Sequence, residues 1–385
     1  MASGKNKRVA LLFAVLRQHE GQVLQGITDY VAELGNWTFD RNFENFTASI
    51  TSLVGWSGDG IIAPLRTKRE VEIAKAFGVP VVNTSGHLRD GGFPCVMVDQ
   101  EEVGRLAAAH LLERGFKRFG YYGQKNAWYS KQRQSGFVER IREGGGECSV
   151  LEAPRFFKNE YWVGWERQLE PWLATLKRPV GIMAVHDFRA RMVLEVCMRM
   201  GLDVPKEVAI IGVDNDEVAC EFSDIPITSV ARDSRREGYE AAALLDRLMH
   251  GRKGARSVLV PPKGVVSRQS TAVDAIENPH VAEAVKYIKA NLDRSFGIGA
   301  LERHLDVSRR YLYYQFQQCL NCTPHDYISR LRVELAKKML LDPKKPQLQE
   351  ISRACGFSEP RRFRIVFQRL TGLSPSEFRR SRATN

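Results

Sequence analysis

The last hundred residues of the chain repeat themselves. Phe316 stands eight residues before Pro324 of a Thr323-Pro324 pair, and Phe367 stands at the same distance before Pro375 of Ser374-Pro375. Tyr327 and Phe378 keep the same offset of 51. A duplication restricts the fold sharply, because each copy has to be one supersecondary unit with its own buried face. In the second copy Leu348, Ile351 and Ala354 share one helical face, and Gly356-Phe357 supplies a turn, since glycine accepts positive φ. Ser358 is the expected N-cap of the next helix, and Pro360 fits its first turn, where a missing N–H costs little. Phe363, Val366 and Phe367 then point inward, leaving Arg361, Arg362, Arg364 and Arg369 outside. In the first copy Leu301 and Leu305 make the supporting helix, Asp306-Val307 the turn, and Ser308 the cap. Leu312 and Phe316 face inward, with Arg309, Arg310, Tyr313 and Gln315 outward.

Charge separates this tail from the rest. The 385 residues carry a formal charge of +12, and from Ala275 onward there are 20 Lys and Arg against 11 Asp and Glu, which places +9 in the tail and +3 on the body. A basic tail on a near-neutral body points to a polyanion as partner of the tail alone.

The body alternates apolar strands with glycine-terminated helices. Strands are expected at Val9–Val15, Gly60–Pro64, Val79–Val82, Phe119–Tyr122, Val180–Val185 and Val208–Val213. Helices are expected at Val23–Leu34 (stopped by Gly35), Val71–Phe77, Glu101–Leu112, Gly136–Arg142, Ala190–Met200 and Gly238–Met249. Such alternation is the mark of βαβ units on parallel sheets. Some 270 residues of it exceed one open sheet, so two α/β lobes with a cleft between them are expected, ligand loops lying at the carboxyl ends of the strands. From Val281 every segment reads as helix. The predicted organisation is therefore a two-lobed α/β domain over 1–272, a linker over 273–280, and an all-α domain over 281–385.

The tail resembles the DNA-binding domain of the AraC family of regulators. The residues that carry the resemblance are Gly356-Phe357-Ser358, Phe363, Phe367, Gly372, Ser374-Pro375 and Phe378-Arg379-Arg380, with Thr323-Pro324, Tyr327, Arg332, Ala336 and Leu340-Leu341 on the connecting segment. The resemblance implies two helix-turn-helix motifs, at about 298–318 and 347–370, tied by one long helix from Pro324 to Leu341 and entering successive major grooves of double-stranded DNA. A recognition helix meets base edges with its N-terminal residues, and arginine reads guanine with two hydrogen bonds. Arg309, Arg310, Arg361, Arg362 and Arg364 are the expected base contacts, with Gln315 beside them, while Arg379, Arg380 and Arg382 are expected at phosphates or in solvent.

In the body, Asp99 follows Val96-Met97-Val98, Arg133 precedes Gly136-Phe137, Asp187 follows the strand ending at His186, Asp214 follows Ile211-Gly212-Val213, and Ser267-Arg268-Gln269-Ser270-Thr271 closes the region. With these landmarks it resembles the periplasmic-binding-protein fold that LacI/GalR repressors use as an effector domain. With the first strand read from Arg8, no LacI-type N-terminal helix-turn-helix is expected. An AraC-type tail on a LacI-type sensor implies a transcription regulator, an activator, that answers to a sugar effector such as D-xylose or a related pentose. Carboxylates accept hydrogen bonds from sugar hydroxyls and arginine donates in a fork. The fold's ligand positions fall on Asp99, Arg133, Asp187 and Asp214, with Arg189 and Asn215 as neighbours. Trp128 and Tyr129, in the loop after a strand, offer rings for stacking on a sugar face.

Other readings are weaker. Val9–Leu16 is too short to span a bilayer and lacks a small-residue cleavage site, so a cytoplasmic protein without membrane contact is expected. The seven cysteines are odd in number and read as reduced. Cys319-x-x-Cys322 has no second pair, so no metal and no cofactor is expected. An enzyme is disfavoured because His186-Asp187 lacks a nucleophile in a glycine-flanked elbow. Tyr161, Trp165 and Trp172 fall on one helical face and read as core. A homodimer is expected and RNA polymerase is a candidate partner. A regulator of another sugar stands as an alternative. So does a constitutive DNA-binding protein whose N-terminal domain only dimerises.

Overall fold

A computed structural model describes residues 6–13, 18–34, 36–40, 49–154, 166–251, 256–273, 275–276, 278–320, 322–342 and 346–383. Gly35, Tyr161 and Trp165 lie outside the described residues. The chain forms two units, Met1–Leu112 with Phe116–Val273, and Glu113–Gly115 with Asp274–Asn385.

The first unit holds two lobes. In one, a parallel sheet runs in the order β2 (Trp37–Asp40), β1 (Lys7–Leu11), β3 (Gly60–Ala63), β4 (Val81–Asn83). A parallel bridge from Asn83 to Cys95 leads on to the pair β5 (Val96–Val98) and β11 (Val258–Val260). Helices α1 (Gln18–Leu34), α2 (Lys68–Ala76) and α8 (Ser234–Met249) cover this sheet. The other lobe has six strands in the order β12 (Gly264–Val266), β10 (Thr228–Ala231), β9 (Val208–Val213), β8 (Val180–Ala184), β6 (Arg118–Gln124), β7 (Glu147–Ala153), all parallel except β12. Its helices are α3 (Gln100–Leu112), α4 (Trp128–Glu143), α5 (Glu166–Thr175), α6 (Asp187–Arg199) and α7 (Glu217–Glu221). Strands β3, β8 and β9 are buried along their whole length, which is why they read as unbroken apolar runs. Trp172 packs its ring near Tyr122 and Gly120 and donates to Ser149 at 2.9 Å, so it is core with a polar tip.

Two helix pairs bind the lobes internally, α1 to α8 in the first and α3 to α4 in the second. Both cross through reciprocal glycines, Gly26 with Gly238 and Gly104 with Gly136, where the backbones touch. The chain passes between lobes at Asp99, at Arg232-Asp233 and at Pro261–Lys263. These passages are laced together: Asp99 N–H donates to Val260 O and Lys263 N–H to Ala231 O, both at 2.8 Å, and Lys263 Nζ lies 3.2 Å from Asp233.

The second unit is all helix: α9 (Pro279–Ala290), α10 (Ile298–Leu305), α11 (Arg309–Leu320), α12 (Pro324–Leu340), α13 (Leu348–Ala354), α14 (Pro360–Thr371) and α15 (Pro375–Ala383). Two cores form. Leu301, Leu312 and Phe316 anchor one and Ile351, Phe363 and Phe367 the other. Helix α12 belongs to both, giving Tyr327 and Ile328 to the first and Val333, Ala336 and Leu340 to the second. The duplication survives as matched edge-on ring pairs, Phe316 on Tyr327 at 5.9 Å and Phe367 on Phe378 at 5.5 Å. Between the cores, Arg332 donates to Arg294 O at 2.8 Å with its guanidinium over Phe296 and Phe357.

The repeat is one residue out of phase across its turn. The supporting helices match at an offset of 50 (Leu301 with Ile351), the recognition helices at 51 (Leu312 with Phe363). The left-handed residues follow the first offset, Asp306 at φ 51 and Gly356 at φ 68. A Cβ on Gly356 would stand 2.5 Å from Leu292 O, so that position has no room for a side chain, whereas Asp306 has. The longer second turn also corrects the capping. Ser308 accepts from Tyr311 N–H at 3.2 Å, but the residue before α14 is Glu359, without a side-chain cap, and Ser358 lies one position too early.

Candidate functional site

A cleft of about 780 Å³ opens between the two lobes of the first unit. The ends of β1, β3, β4, β8, β9 and β10 converge on it, and the loops and helices that follow them supply its polar groups. Two clusters of charge line it. From the first lobe, Arg66 meets Glu20 at 3.0 Å. At the lobe junction Arg232 meets Glu237 at 2.7 Å and Asp214 at 3.4 Å, and Asp214 also lies 3.7 Å from Arg133. Arg133 in turn donates to Gln100 at 2.7 Å and to Val185 O, with its guanidinium over the Tyr129 ring.

The two aspartates at adjacent strand ends differ in kind. Asp187 is buried, accepts from Ser229 Oγ at 2.6 Å and from Asp216 N–H at 2.8 Å, and presses on Gly212, which has no room for a Cβ. Burial first, and the charge of Asp214 second, push its carboxyl well above the ordinary range. Burial acts the same way on Asp214, but Arg133 and Arg232 outweigh it and hold that carboxyl below its usual value. Asp214 is thus the ionised member of the pair, and Asp187 braces the ends of β9 and β10. Asp214 and Asn215 adopt φ of 107° and 54° in succession, a backbone form that non-glycine residues keep only where the surroundings impose it.

Of the eight expected sugar residues, Tyr129, Arg133, Asp187, Arg189 and Asp214 line the cleft, and Asp99, Trp128 and Asn215 do not. Asp99 spends its carboxylate on the α3 N-terminus, accepting from Glu102 N–H at 3.1 Å at a lobe passage. Trp128 and Tyr129 are not in a loop: they open α4, their N–H groups donating to His87 O and Gly86 O of the first lobe. The Trp128 ring carries the Arg89 guanidinium. Asn215 is turned away from the cleft, its N–H on Ser229 Oγ and its Oδ1 buried without a partner. Arg189 lines the wall, but its guanidinium is used on the carbonyls of Gly123, Ala153 and Pro154 over the Tyr122 ring. Missing from the sequence reading are Glu20, Arg66, Gln100, Arg232 and Glu237. Arg232 follows a strand, the signal that picked out Asp187 and Asp214, but β10 went unread.

In the second unit Arg310, Arg361, Arg362 and Arg364 are exposed on the starts of α11 and α14. Arg309 is held back by Glu302 on α10 at 3.0 Å, and the half-buried Gln315 accepts from Asn278 at 3.0 Å, so neither projects freely. Arg362 donates to His325 Nε2 at 2.7 Å. Arg379 donates to Pro346 O at 2.6 Å, and nothing is described of the Arg382 side chain. Cys319 and Cys322 pack in the first core as free thiols, burial pushing Cys322 up to about 11. Among the described residues no group of three or more His, Cys, Asp or Glu is placed to hold a metal ion, and no helix is long and apolar enough to cross a membrane.

Three family models match successive stretches: a XylR N-terminal domain over residues 8–97, a periplasmic binding protein-like domain over 108–271, and a helix-turn-helix domain over 301–381. The xylose operon regulatory protein of Haemophilus influenzae is 30% identical over 383 residues, 97% of this chain and 98% of that protein. The chain belongs to the xylose operon regulatory protein family. The Escherichia coli member is likewise 30% identical over 384 residues, 97% of each chain. A solved structure described as the xylose-binding transcription activator xylR aligns over 99% of both chains, with a TM-score of 0.62 and 29% identity. The family is one of transcription regulators with a helix-turn-helix DNA-binding domain behind a periplasmic-binding-protein-like sensor, and not of enzymes.

Proposed function

We propose that the cleft binds D-xylose or a related pentose and that occupancy sets the DNA-binding state of an activator. The observation that carries this is the ionised Asp214 between Arg133 and Arg232, facing Glu20 and Arg66 across a cleft between two lobes. A pentose has hydroxyls to donate to those carboxylates and oxygens to accept from those guanidiniums, and no charge that would need neutralising. The relatives' names favour xylose over other pentoses. Sugar held by both lobes favours the closed arrangement by its differential affinity for it. The ligand set is Tyr129, Arg133 and Asp214 from the sequence reading, joined by Glu20, Arg66 and Arg232. The reading also makes the protein cytoplasmic, a homodimer, and a partner of RNA polymerase at its promoter.

Calorimetric titration with D-xylose, L-arabinose, D-ribose and D-glucose tests the first part. Heat with D-xylose at lower concentration than with the others is the expected result. No heat with any sugar overturns it in favour of a constitutive DNA-binding protein, and a preference for D-glucose in favour of another sugar. For DNA, the exposed arginines at the starts of α11 and α14 support base reading. Arg362→Ala should lower affinity for a selected duplex about tenfold or more while leaving affinity for scrambled DNA within about twofold. Equal losses on both would make Arg362 a phosphate contact.

A further inference from the structure

The helix that precedes each helix-turn-helix pair opens on the same three-residue device. Asn278-Pro279-His280 starts α9 and Thr323-Pro324-His325 starts α12. In each the first residue caps the helix with its side chain, the proline occupies the first turn, and the histidine comes next. Each histidine then meets the same position on the recognition helix of the pair that follows it. His280 Nδ1 lies 3.2 Å from the Tyr311 hydroxyl, the rings edge-on at 5.5 Å, and His325 Nε2 lies 2.7 Å from Arg362 Nη2. Tyr311 and Arg362 are equivalents at the offset of 51.

A guanidinium only donates, so His325 Nε2 has to be the acceptor and its ring neutral. One of five N–H donors on Arg362 is used, leaving the rest of the fork for a base. An exposed arginine otherwise surrenders rotamer freedom when it is fixed on a base edge, and a side-on hydrogen bond settles part of that beforehand. We infer that His325 is the positioning residue of the second recognition helix, aiming Arg362 at its base in the neutral form and releasing it when protonated. This rests on reading Arg362 as a base contact.

The surroundings suit the role. From α14, Arg362 and Arg369 face the ring; from α12, Asp326 and Arg332 do. Asp326 is engaged by the Thr323 hydroxyl at 2.6 Å and by Arg369 at 3.7 Å. Burial first, and then Arg362, keep the imidazole below its ordinary proton affinity, so the acceptor is present at neutral pH and lost as pH falls below the usual imidazole range.

The test uses the full chain and a duplex that it selects from a random library at pH 8, with a scrambled duplex as reference. His325→Ala should reduce the selected-to-scrambled affinity ratio about tenfold with scrambled affinity unchanged, the size of one base contact. His325→Gln, whose amide oxygen accepts at every pH, should keep most of the ratio at pH 8. It should also hold that ratio down to pH 5, where the wild-type ratio falls. A ratio untouched by Arg362→Ala overturns the base-contact reading and this inference with it. A ratio lost in Arg362→Ala but kept in His325→Ala overturns the inference alone, as does a wild-type pH profile that His325→Gln fails to flatten.

Discussion

Gly136→Ala should lower the stability of the sensor by about 3 kcal/mol, at the upper end for overpacking, because neither backbone at that crossing can yield alone. A Cβ on Gly136 would stand 2.0 Å from Glu101 O, and one on its partner Gly104 2.1 Å from Arg133 O. Helices α3 and α4 would have to separate by more than an ångström. For a domain of this size that loss is roughly a 6–12 °C fall in Tm, read by thermal denaturation. The same separation strains the Arg133–Gln100 hydrogen bond, which spans the crossing, so sugar affinity should fall with stability. Gly21→Ala is the matching control. It lies inside α1 with nothing within 4 Å of its Cβ and should gain up to about 1 kcal/mol from the smaller entropy of the unfolded chain. An unchanged Tm for Gly136→Ala would show that the pair parts freely.

Asp214→Gly should separate function from stability. It removes the ionised carboxylate of the cleft, and sugar affinity should fall about 100-fold or more, the scale of losing a charged hydrogen-bond partner from a buried site. Stability should move little. Arg133 and Arg232 lose a counter-charge, although Arg232 keeps Glu237 and Arg133 keeps Gln100 and Val185 O. Against that loss, glycine relaxes the φ of 107°, worth roughly 1–3 kcal/mol. DNA affinity without sugar should stay at the wild-type value. A fall in Tm as large as that of Gly136→Ala would instead mark Asp214 as structural. In the wild type Asp214 sits below its usual pKa of 3.8, so it stays charged from pH 8 to pH 5, and this carboxylate should cost the sugar no affinity over that range.

Much of the architecture was legible because burial on both faces leaves an unmistakable run, as in Gly60–Ala63 and Val208–Val213. The duplicated tail was legible because two cores of one design demand the same aromatics at one spacing. Strands β2, β7 and β12 escaped because they are sheet edges, partly exposed and without a continuous apolar signal. Strand β10 is central and escaped for another reason. Thr228 and Ser229 are buried by bonding their hydroxyls to Arg268 O and Asp187, a satisfaction that pattern reading cannot see. Of the cleft residues that follow recognised strands, Asp187 and Asp214 were found and Arg66 was not. Those reached only after the chain changes lobes, such as Arg232 and Glu237, were not. Asp99 misled because a carboxylate after a strand can serve the next helix as well as a ligand.

Helix α12 works as a ruler. It is one uninterrupted rod of 17 residues, roughly 25 Å long, with one half cemented in each core. The interval between the two reading sites is therefore cut into the protein itself and does not depend on how subunits associate. Inserting five base pairs between the two sites turns the second through about half a helical turn, to the far side of the duplex. Such DNA should be held by one helix-turn-helix unit at a time, with the selectivity of one.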